Sequence, residues 1–252
     1  MNTLKINTYW LKVIALVAMT FSHISTIFFD ILPHYIVILS AMVGGITFPI
    51  MAFLLVQGAN STRNIRKYLL RMFLFWIISI IPFHFATSIR VIHKHSFFDL
   101  FNNVGCTLFF SLLMLHLLTK FDKVKSIFKW CIVLFFLSIT LSSDWGGIGV
   151  IVIYFIYAFR NSKLKIYLAP CLISAEIILL GVIKYFLLGF RLIEPFYLMD
   201  SILRGLGPLL AIPLLKSYDS TSNKPSVLVK YLFYIYYPLH LLIIGIVEYI
   251  AF

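Results

Sequence analysis

Apolar residues run along this chain in stretches of helical length, broken by short polar turns. A membrane-spanning helix needs about 20 mostly apolar residues. Reading the apolar runs against the turn residues predicts spans at 9–29, 35–57, 68–87, 104–118, 128–141, 147–159, 167–188, 195–215 and 228–249. The pattern predicts an all-α fold, a polytopic transmembrane helical bundle of about nine spans, organised as one domain over residues 1–252. The runs at 128–141 and 147–159 are short, which predicts a tilted pair or a hairpin that does not fully cross. The most informative junction lies at 48–71, FPIMAFLLVQGANSTRNIRKYLLR, where an apolar helix enters a basic turn and leaves as another apolar helix.

Composition agrees with that pattern. The 252 residues are 62% hydrophobic and 12% charged, with a mean hydropathy of +1.00, too little polar surface to cover a water-soluble globule of this size. The net charge of +12 sits in turns between apolar runs, so it reads as bilayer orientation rather than as a nucleic-acid surface. Alternating the turns puts most cations on one side, including Lys5, Lys12, Arg63, Arg66, Lys67, Arg71 and the later turns at 120–129, 160–165 and 216–230. Only Arg90, Lys94, Lys184 and Arg191 fall on the other side, with Arg204 inside a span. Positive charge is retained on the cytoplasmic side, which predicts a cytoplasmic N-terminus and an extracytoplasmic C-terminus. The outer loop 89–103 is the longest polar segment, and its SFFDLF piece has the character of a short surface helix. Cys106, Cys131 and Cys171 all lie in apolar runs without metal-type spacing and are expected to be small buried hydrophobes. The first run has full span length and no cleavage motif follows it, so no cleavable signal peptide is expected.

Ionisable groups inside apolar spans are costly and stay where a cavity or a partner receives them. Lys12 and His23 are eleven residues apart in the first span, hence on one face and roughly 16 Å apart along the axis, with Leu16 and Met19 between them. His23 falls toward the outer half and Lys12 near the inner surface, where a snorkelling lysine is the simpler account. Asp144, in SSDWGG, is expected on the same side as His23, either as a carboxylate that orients a histidine or as an ordinary helix N-cap. His240 follows Pro238 in the last span, as a second polar group of a cavity or as the packing partner of a kink. Glu176 lies deep in a span, and Asp200 and Arg204, one turn apart, are expected to neutralise each other. His34, His84, His93 and His95 fall near the outer surface and His116 near the inner end of its span, and none has spacing suited to zinc. No phosphate-binding glycine loop, nucleophile elbow or zinc-protease motif is present.

Five blocks carry a family likeness: 11–25 (LKVIALVAMTFSHIS), 48–83 (FPIMAFLLVQGANSTRNIRKYLLRMFLFWIISIIPF), 103–109 (NVGCTLF), 144–160 (DWGGIGVIVIYFIYAFR) and 230–244 (KYLFYIYYPLHLLII). In that order they resemble the signature blocks of the TraX family, bacterial inner-membrane proteins named for acetylation of conjugative pilin at its N-terminus. The resemblance extends to the acyltransferase type 3 superfamily, in which a basic residue precedes an essential histidine by eleven positions; Lys12 and His23 match that spacing, with lysine for arginine. The chain departs from the family pattern at Ser22, Gln57 and His84, where acidic residues are usual.

The resemblance implies a multi-pass acyltransferase of the bacterial cytoplasmic (inner) membrane, with acetyl-CoA as donor substrate and no metal. On that reading Arg63, Arg66 and Lys67, with Arg71 a turn further, hold the phosphates of acyl-CoA, and Lys12 lines the path of its arm. His23 acts as general base on an acceptor amine or hydroxyl, assisted by Asp144 or His240. The acceptor is a pilin or peptide N-terminus, or a lipid or glycan hydroxyl, and membrane lipid is the remaining partner. The alternatives are a non-catalytic membrane assembly or immunity factor of the same fold and a small transporter built on Glu176, Asp200 and Arg204, for which paired broken repeats are not visible.

Overall fold

The computed structural model describes residues 5–88, 102–121, 123–189, 196–219 and 227–251. All nine predicted spans are helical there, and no strand interrupts the described residues. The elements in order are α1 (Thr8–Ile27), α2 (His34–Gly44), α3 (Thr47–Ser61), α4 (Ile65–Ser88), α5 (Val104–Lys120), α6 (Ser126–Ile139), α7 (Gly146–Ala158), α8 (Lys165–Leu187), α9 (Tyr197–Leu206), α10 (Ala211–Lys216) and α11 (Val227–Ala251). Two predicted spans are built in pieces. The second is α2 and α3, joined at Gly45, and the eighth is α9, a 3₁₀ turn at Gly207–Leu210, and α10. Six stretches are long and apolar enough to cross a membrane, while α5, α6 and α7 are shorter apolar helices. The short set thus includes α5 as well as the expected α6 and α7. Side chains such as Ile78 and Ile81 of α4, Phe135 of α6 and Leu187 of α8 are exposed, as lipid contact requires of a membrane protein. The loop expected to face outward, with Arg90, His93, Lys94 and His95, and also Arg191 and Lys224, lie outside the described residues.

The chain divides into two compact units, Met1–Met51 with Ile166–Val227, and Ala52–Lys165 with Leu228–Phe252. In the first, α1 and α2 pack as neighbours because Gly44 faces Ser22 with no room for a Cβ between them. Thr47 Oγ1 also donates to the Ala15 carbonyl of α1 at 3.2 Å. The 3₁₀ turn closes on the end of α2 in the same way, Gly207 against the Met42 backbone and Gly45 against Pro208. Small residues permit such close approach where lipid supplies no hydrophobic drive for helix association. The expected Asp200–Arg204 pair does not form: Asp200 of α9 bonds His34 Nε2 at the start of α2, at 2.8 Å. Tertiary proximity of α2 and α9 wins over a neighbour on the same helix. The N-terminal segment is tied down by Ile6, which bonds the Ser217 carbonyl and the Asp219 N–H, and by the Lys5–Asp219 ion pair at 3.3 Å.

In the second unit α5 is the centre, with buried residues from Gly105 to Leu118 on several faces. Gly105 lets α4 approach at Trp76, which stacks on Phe109 with ring centroids 5.7 Å apart. Phe75 on α4 meets Tyr234 and Tyr237 on α11, and further along Gly245 accepts Phe85. α6 and α7 form the short hairpin, Gly147 packing on Leu137 and Trp130 on Tyr154. Cys106 is buried as expected, but Cys131 and Cys171 are exposed, on outward faces of α6 and α8. An apolar thiol meets no penalty in hydrocarbon, so the apolar run alone does not decide its facing.

Candidate functional site

The unequal lengths of helices in the second unit create a polar floor. α7 has 13 residues and α6 has 14, about 20 Å of helix each, against a hydrocarbon core of about 30 Å. The start of α5 lies beside Trp76 of α4 and Tyr237 of α11. From those residues α4 and α11 each continue for roughly 18 to 21 Å, at 1.5 Å per residue. The α6–α7 turn is fastened one turn into α5, where the hydroxyls of Thr107 and Ser143 are 2.5 Å apart and buried. The turn and the start of α5 therefore lie between the ends of α4 and α11, not beyond them.

Asp144 stands next to Ser143 in that turn, and its carboxylate acts electrostatically on Tyr237, whose hydroxyl also lies beside the Val104 backbone N–H. Surrounding apolar atoms raise the Asp144 carboxyl from its ordinary value near 3.8 to about 6. Its side chain nonetheless keeps an accessible surface, and water reaching the carboxylate limits the rise. The N-cap alternative for Asp144 is removed, because α7 is capped by Trp145 with no side-chain bond. Gly146, at φ +42°, makes the tight entry to α7 in a conformation that favours glycine.

His240 lies one turn beyond Tyr237, with ring centroids 5.5 Å apart, and is 6% exposed. Its Nδ1 is 3.0 Å from the Tyr236 carbonyl oxygen. A carbonyl only accepts, so Nδ1 carries a proton. Pro238 sits within α11, and the His240 ring stacks on Tyr236 at an interplanar angle of 12°, which agrees with a packing role beside the proline. Two of the three expected catalytic residues, Asp144 and His240, thus meet through Tyr237. The sequence reading missed Tyr237, together with Asn103, Thr107 and Ser143. A buried Glu248 on α11, 2% exposed, was missed too. Single hydroxyls and amides at helix ends look like ordinary caps in a sequence; the signal available was their repetition where α5 begins and where α6 turns into α7.

The basic turn is resolved into two settings. Arg63, Arg66 and Lys67 are exposed at the α3–α4 turn, where Asn64 caps α4 by accepting from the Lys67 N–H at 3.0 Å. Arg63 lines a recess of about 190 Å³ with Asn60, Thr62, His116, Thr119 and Tyr157. Arg71 is drawn away from the other three. Its guanidinium lies over the Tyr68 ring at 5.6 Å and hydrogen-bonds the Tyr234 hydroxyl, while its buried Nε has no partner.

His23 and Lys12 belong to the first unit, both half-buried on α1. Met19, on the stripe between them, is 9% exposed. Ser22, beside His23, is held against Gly44, which leaves little room there for a larger side chain. The expected catalytic residues are therefore divided, His23 in the first unit and Asp144 and His240 in the second. Among the described residues no cluster of three or more metal-ligating side chains occurs.

Comparison with known proteins follows the geometry. The sequence profile of the family described as "TraX protein" matches residues 8–248. The chain is also similar to a protein of Dichelobacter nodosus described as "Probable fimbrial assembly protein FimC, serogroup H1". The two are 28% identical over 243 residues, covering 93% of each chain. No solved structure matches this chain.

Proposed function

The chain belongs to the TraX protein family, and from that premise we propose that it is a membrane-bound acyltransferase of the bacterial inner membrane. It takes an acetyl group from cytoplasmic acetyl-CoA and passes it to an amine, such as a pilin or peptide N-terminus, or to a hydroxyl of a lipid or glycan. The observation that carries this reading is the second unit itself. A cationic recess at Arg63 lies at one end of α5, and the polar floor of Asp144, Tyr237 and His240 lies at the other, about 25 Å along the helix.

The donor's phosphates are attracted to Arg63, Arg66 and Lys67, with the recess at Arg63 as their seat. Arg71, occupied with Tyr68 and Tyr234, supports the packing of α4 on α11 instead of joining the exposed three. Lys12 on α1 is assigned to the arm of the donor. The acceptor nitrogen attacks the thioester carbonyl carbon; the C–N bond forms, the C–S bond breaks, and the thiolate leaves. His23 removes the proton from the attacking amine and returns it to the departing sulfur, so charge is balanced over the cycle. Asp144 and His240 are assigned as assisting polar groups within the second unit. The name of the fimbrial relative supports a pilus subunit as the acceptor, and it equally supports a second reading, a non-catalytic assembly factor, with which Ser22, Gln57 and His84 agree.

Purified protein in nanodiscs, titrated with acetyl-CoA by calorimetry, tests the reading. Wild type and His23→Ala are expected to bind in the micromolar range, and the combined Arg63, Arg66 and Lys67 alanine variant to bind at least tenfold more weakly. Mass spectrometry of an offered N-terminal peptide should then show acetylation by wild type only. A His23→Ala protein that acetylates normally overturns the assignment of the base. Absence of acetyl-CoA binding by wild type overturns the enzyme in favour of the assembly factor.

A further inference from the structure

The hairpin of α6 and α7 is shorter than the bilayer it stands in, and its two ends are built differently. Each helix rises about 20 Å against about 30 Å of hydrocarbon, and tilt only lowers that rise. A shortfall of about 10 Å therefore falls at one end or is shared between both. One end is pinned. Exposed Lys123 and Lys125 precede α6, and Arg160 and exposed Lys163 follow α7. Arg160 lies over the Tyr157 ring at 4.3 Å, and Trp130 packs on Tyr154 with ring centroids 5.2 Å apart, close to those cations. Cations backed by amphipathic aromatic rings mark the headgroup level of a membrane protein. The shortfall thus falls at the other end, on the α6–α7 turn.

That turn, residues 140–145 (TLSSDW), carries no cation. Thr140 and Ser143 are buried and bonded, while Ser142 and Asp144 are exposed. A carboxylate exposed at hydrocarbon depth is costly and is kept where water receives it. Trp145, half-buried beside it, is the kind of ring that sits at a membrane–water interface. The bond between Ser143 and Thr107 holds the turn against α5, so it does not rise to meet a distant surface.

The neighbouring helices do not share the shortfall. α4 passes the start of α5 at Trp76 and goes on, with Ile78 60% and Ile81 76% exposed. α11 passes it at Tyr237 and goes on, with Ile246 and Ile250 exposed. Those apolar faces require hydrocarbon at levels where the hairpin has already ended. One flat membrane surface does not satisfy both.

We propose that the bilayer is thinned over the α6–α7 turn, on the face opposite the basic α3–α4 turn. Lipid headgroups and water descend there by about 10 Å to Ser142, Asp144 and Trp145, while thicker hydrocarbon remains against α4 and α11. The depression stands on the hairpin and its neighbours alone. Its use rests on the acyltransferase reading, under which it gives a polar acceptor a wet route to Asp144 from the face opposite the basic turn.

Single cysteines test this in phosphatidylcholine nanodiscs, where both faces meet the buffer, in a Cys106→Ala, Cys131→Ala, Cys171→Ala background. Ser142→Cys lies beside Ser143, at the level of Thr107. Ile81→Cys lies about 7 Å beyond the start of α5 toward the thinned face, and Lys123→Cys marks the pinned end. A charged methanethiosulfonate needs a hydrated thiolate, so Ser142→Cys should react within about tenfold of Lys123→Cys, and Ile81→Cys at least about a hundredfold more slowly. An even bilayer gives the reverse order for Ser142→Cys and Ile81→Cys. Bimane on the same thiols reads lipid contact through phosphatidylcholine spin-labelled on the headgroup or on the acyl chain. The headgroup label should quench at Ser142→Cys more than at Ile81→Cys, and the chain label the reverse. Asp144→Cys is a second exposed site in the turn, for use where Ser142→Cys does not fold. Slower reaction in the turn than at Ile81→Cys overturns the depression. Fast reaction there without headgroup quenching means that water arrives through a protein-walled channel, and overturns the thinning.

Discussion

The Thr107–Ser143 hydroxyl pair anchors the turn that carries Asp144, and the two hydroxyls are not equivalent. Ser143 Oγ also donates to the Thr140 carbonyl at 2.8 Å, and an oxygen with one proton cannot donate twice. Thr107 is therefore the donor in the pair and Ser143 the acceptor. Replacing Thr107 with valine keeps the volume and removes that donor alone. Ser143 retains its bond to Thr140, so the cost is one hydrogen bond, about 0.6 kcal/mol and at most roughly 1.7 kcal/mol for such bonds in membrane proteins. Ser143→Ala removes both bonds and leaves the Thr107 hydroxyl buried at 0% exposure. That should cost about 1–3 kcal/mol, less whatever Thr107 recovers by bonding its own helix backbone. In the double variant the stranded hydroxyl is gone, so its cost should be less than the sum by about 1 kcal/mol. Equilibrium denaturation of the four proteins in one mixed micelle, followed by tryptophan fluorescence, reads all three quantities. Ser143→Ala costing no more than Thr107→Val, or strict additivity, would refute the donor assignment and with it the anchoring of the turn.

Asp144 gives a pH prediction. Its carboxyl is raised in the folded protein, so the folded state holds the proton more tightly than the unfolded chain, and stability should fall as pH rises from about 3.8 toward an upper limit of about 6, the slope being shallow because water reaches the carboxylate. Asp144→Asn should lose this slope, and melting curves from pH 4 to pH 8 with parallel trends for both proteins would contradict it. Gly207→Ala should destabilise by about 1–3 kcal/mol, because a Cβ there meets the Met42 backbone, which cannot move aside as a flexible side chain can; a melting temperature unchanged from wild type would show that the 3₁₀ turn is not packed on α2. Tyr234→Phe should cost about 1–3 kcal/mol by taking an acceptor from the Arg71 guanidinium, whose Nε already lacks one. Arg71→Met in the Tyr234→Phe background should recover part of that loss in the same denaturation assay, and failure to do so would mean the pair is not coupled.

The apolar runs and turns determined much of this protein without any tertiary information. Helices appear at all nine predicted positions because each run's length and its flanking polar residues leave the backbone no other way to satisfy its N–H and C=O groups in hydrocarbon. The family likeness was legible too, since it resides in contiguous blocks such as 48–83 and 144–160, and the profile match over 8–248 agrees. So was the presence of Asp144 and His240 as polar groups within or beside apolar runs.

Only the tertiary structure decided which like residues share a setting. Arg63 and Arg71 sit two turns apart on one basic stretch, yet one lines an open recess and the other is taken by Tyr68 and Tyr234. Asp200 bonds His34 rather than Arg204, because a partner brought by packing at 2.8 Å outweighs one available four residues along the helix. Tyr237 lies between Asp144 and His240, and Arg63 shares a recess with His116, although Asp144 and Tyr237, like Arg63 and His116, are far apart in sequence. Local sequence sets whether a segment is helical and how long it runs, since those depend on neighbouring residues; which face meets which partner depends on helix packing, where glycines such as Gly44, Gly105 and Gly207 set the approach.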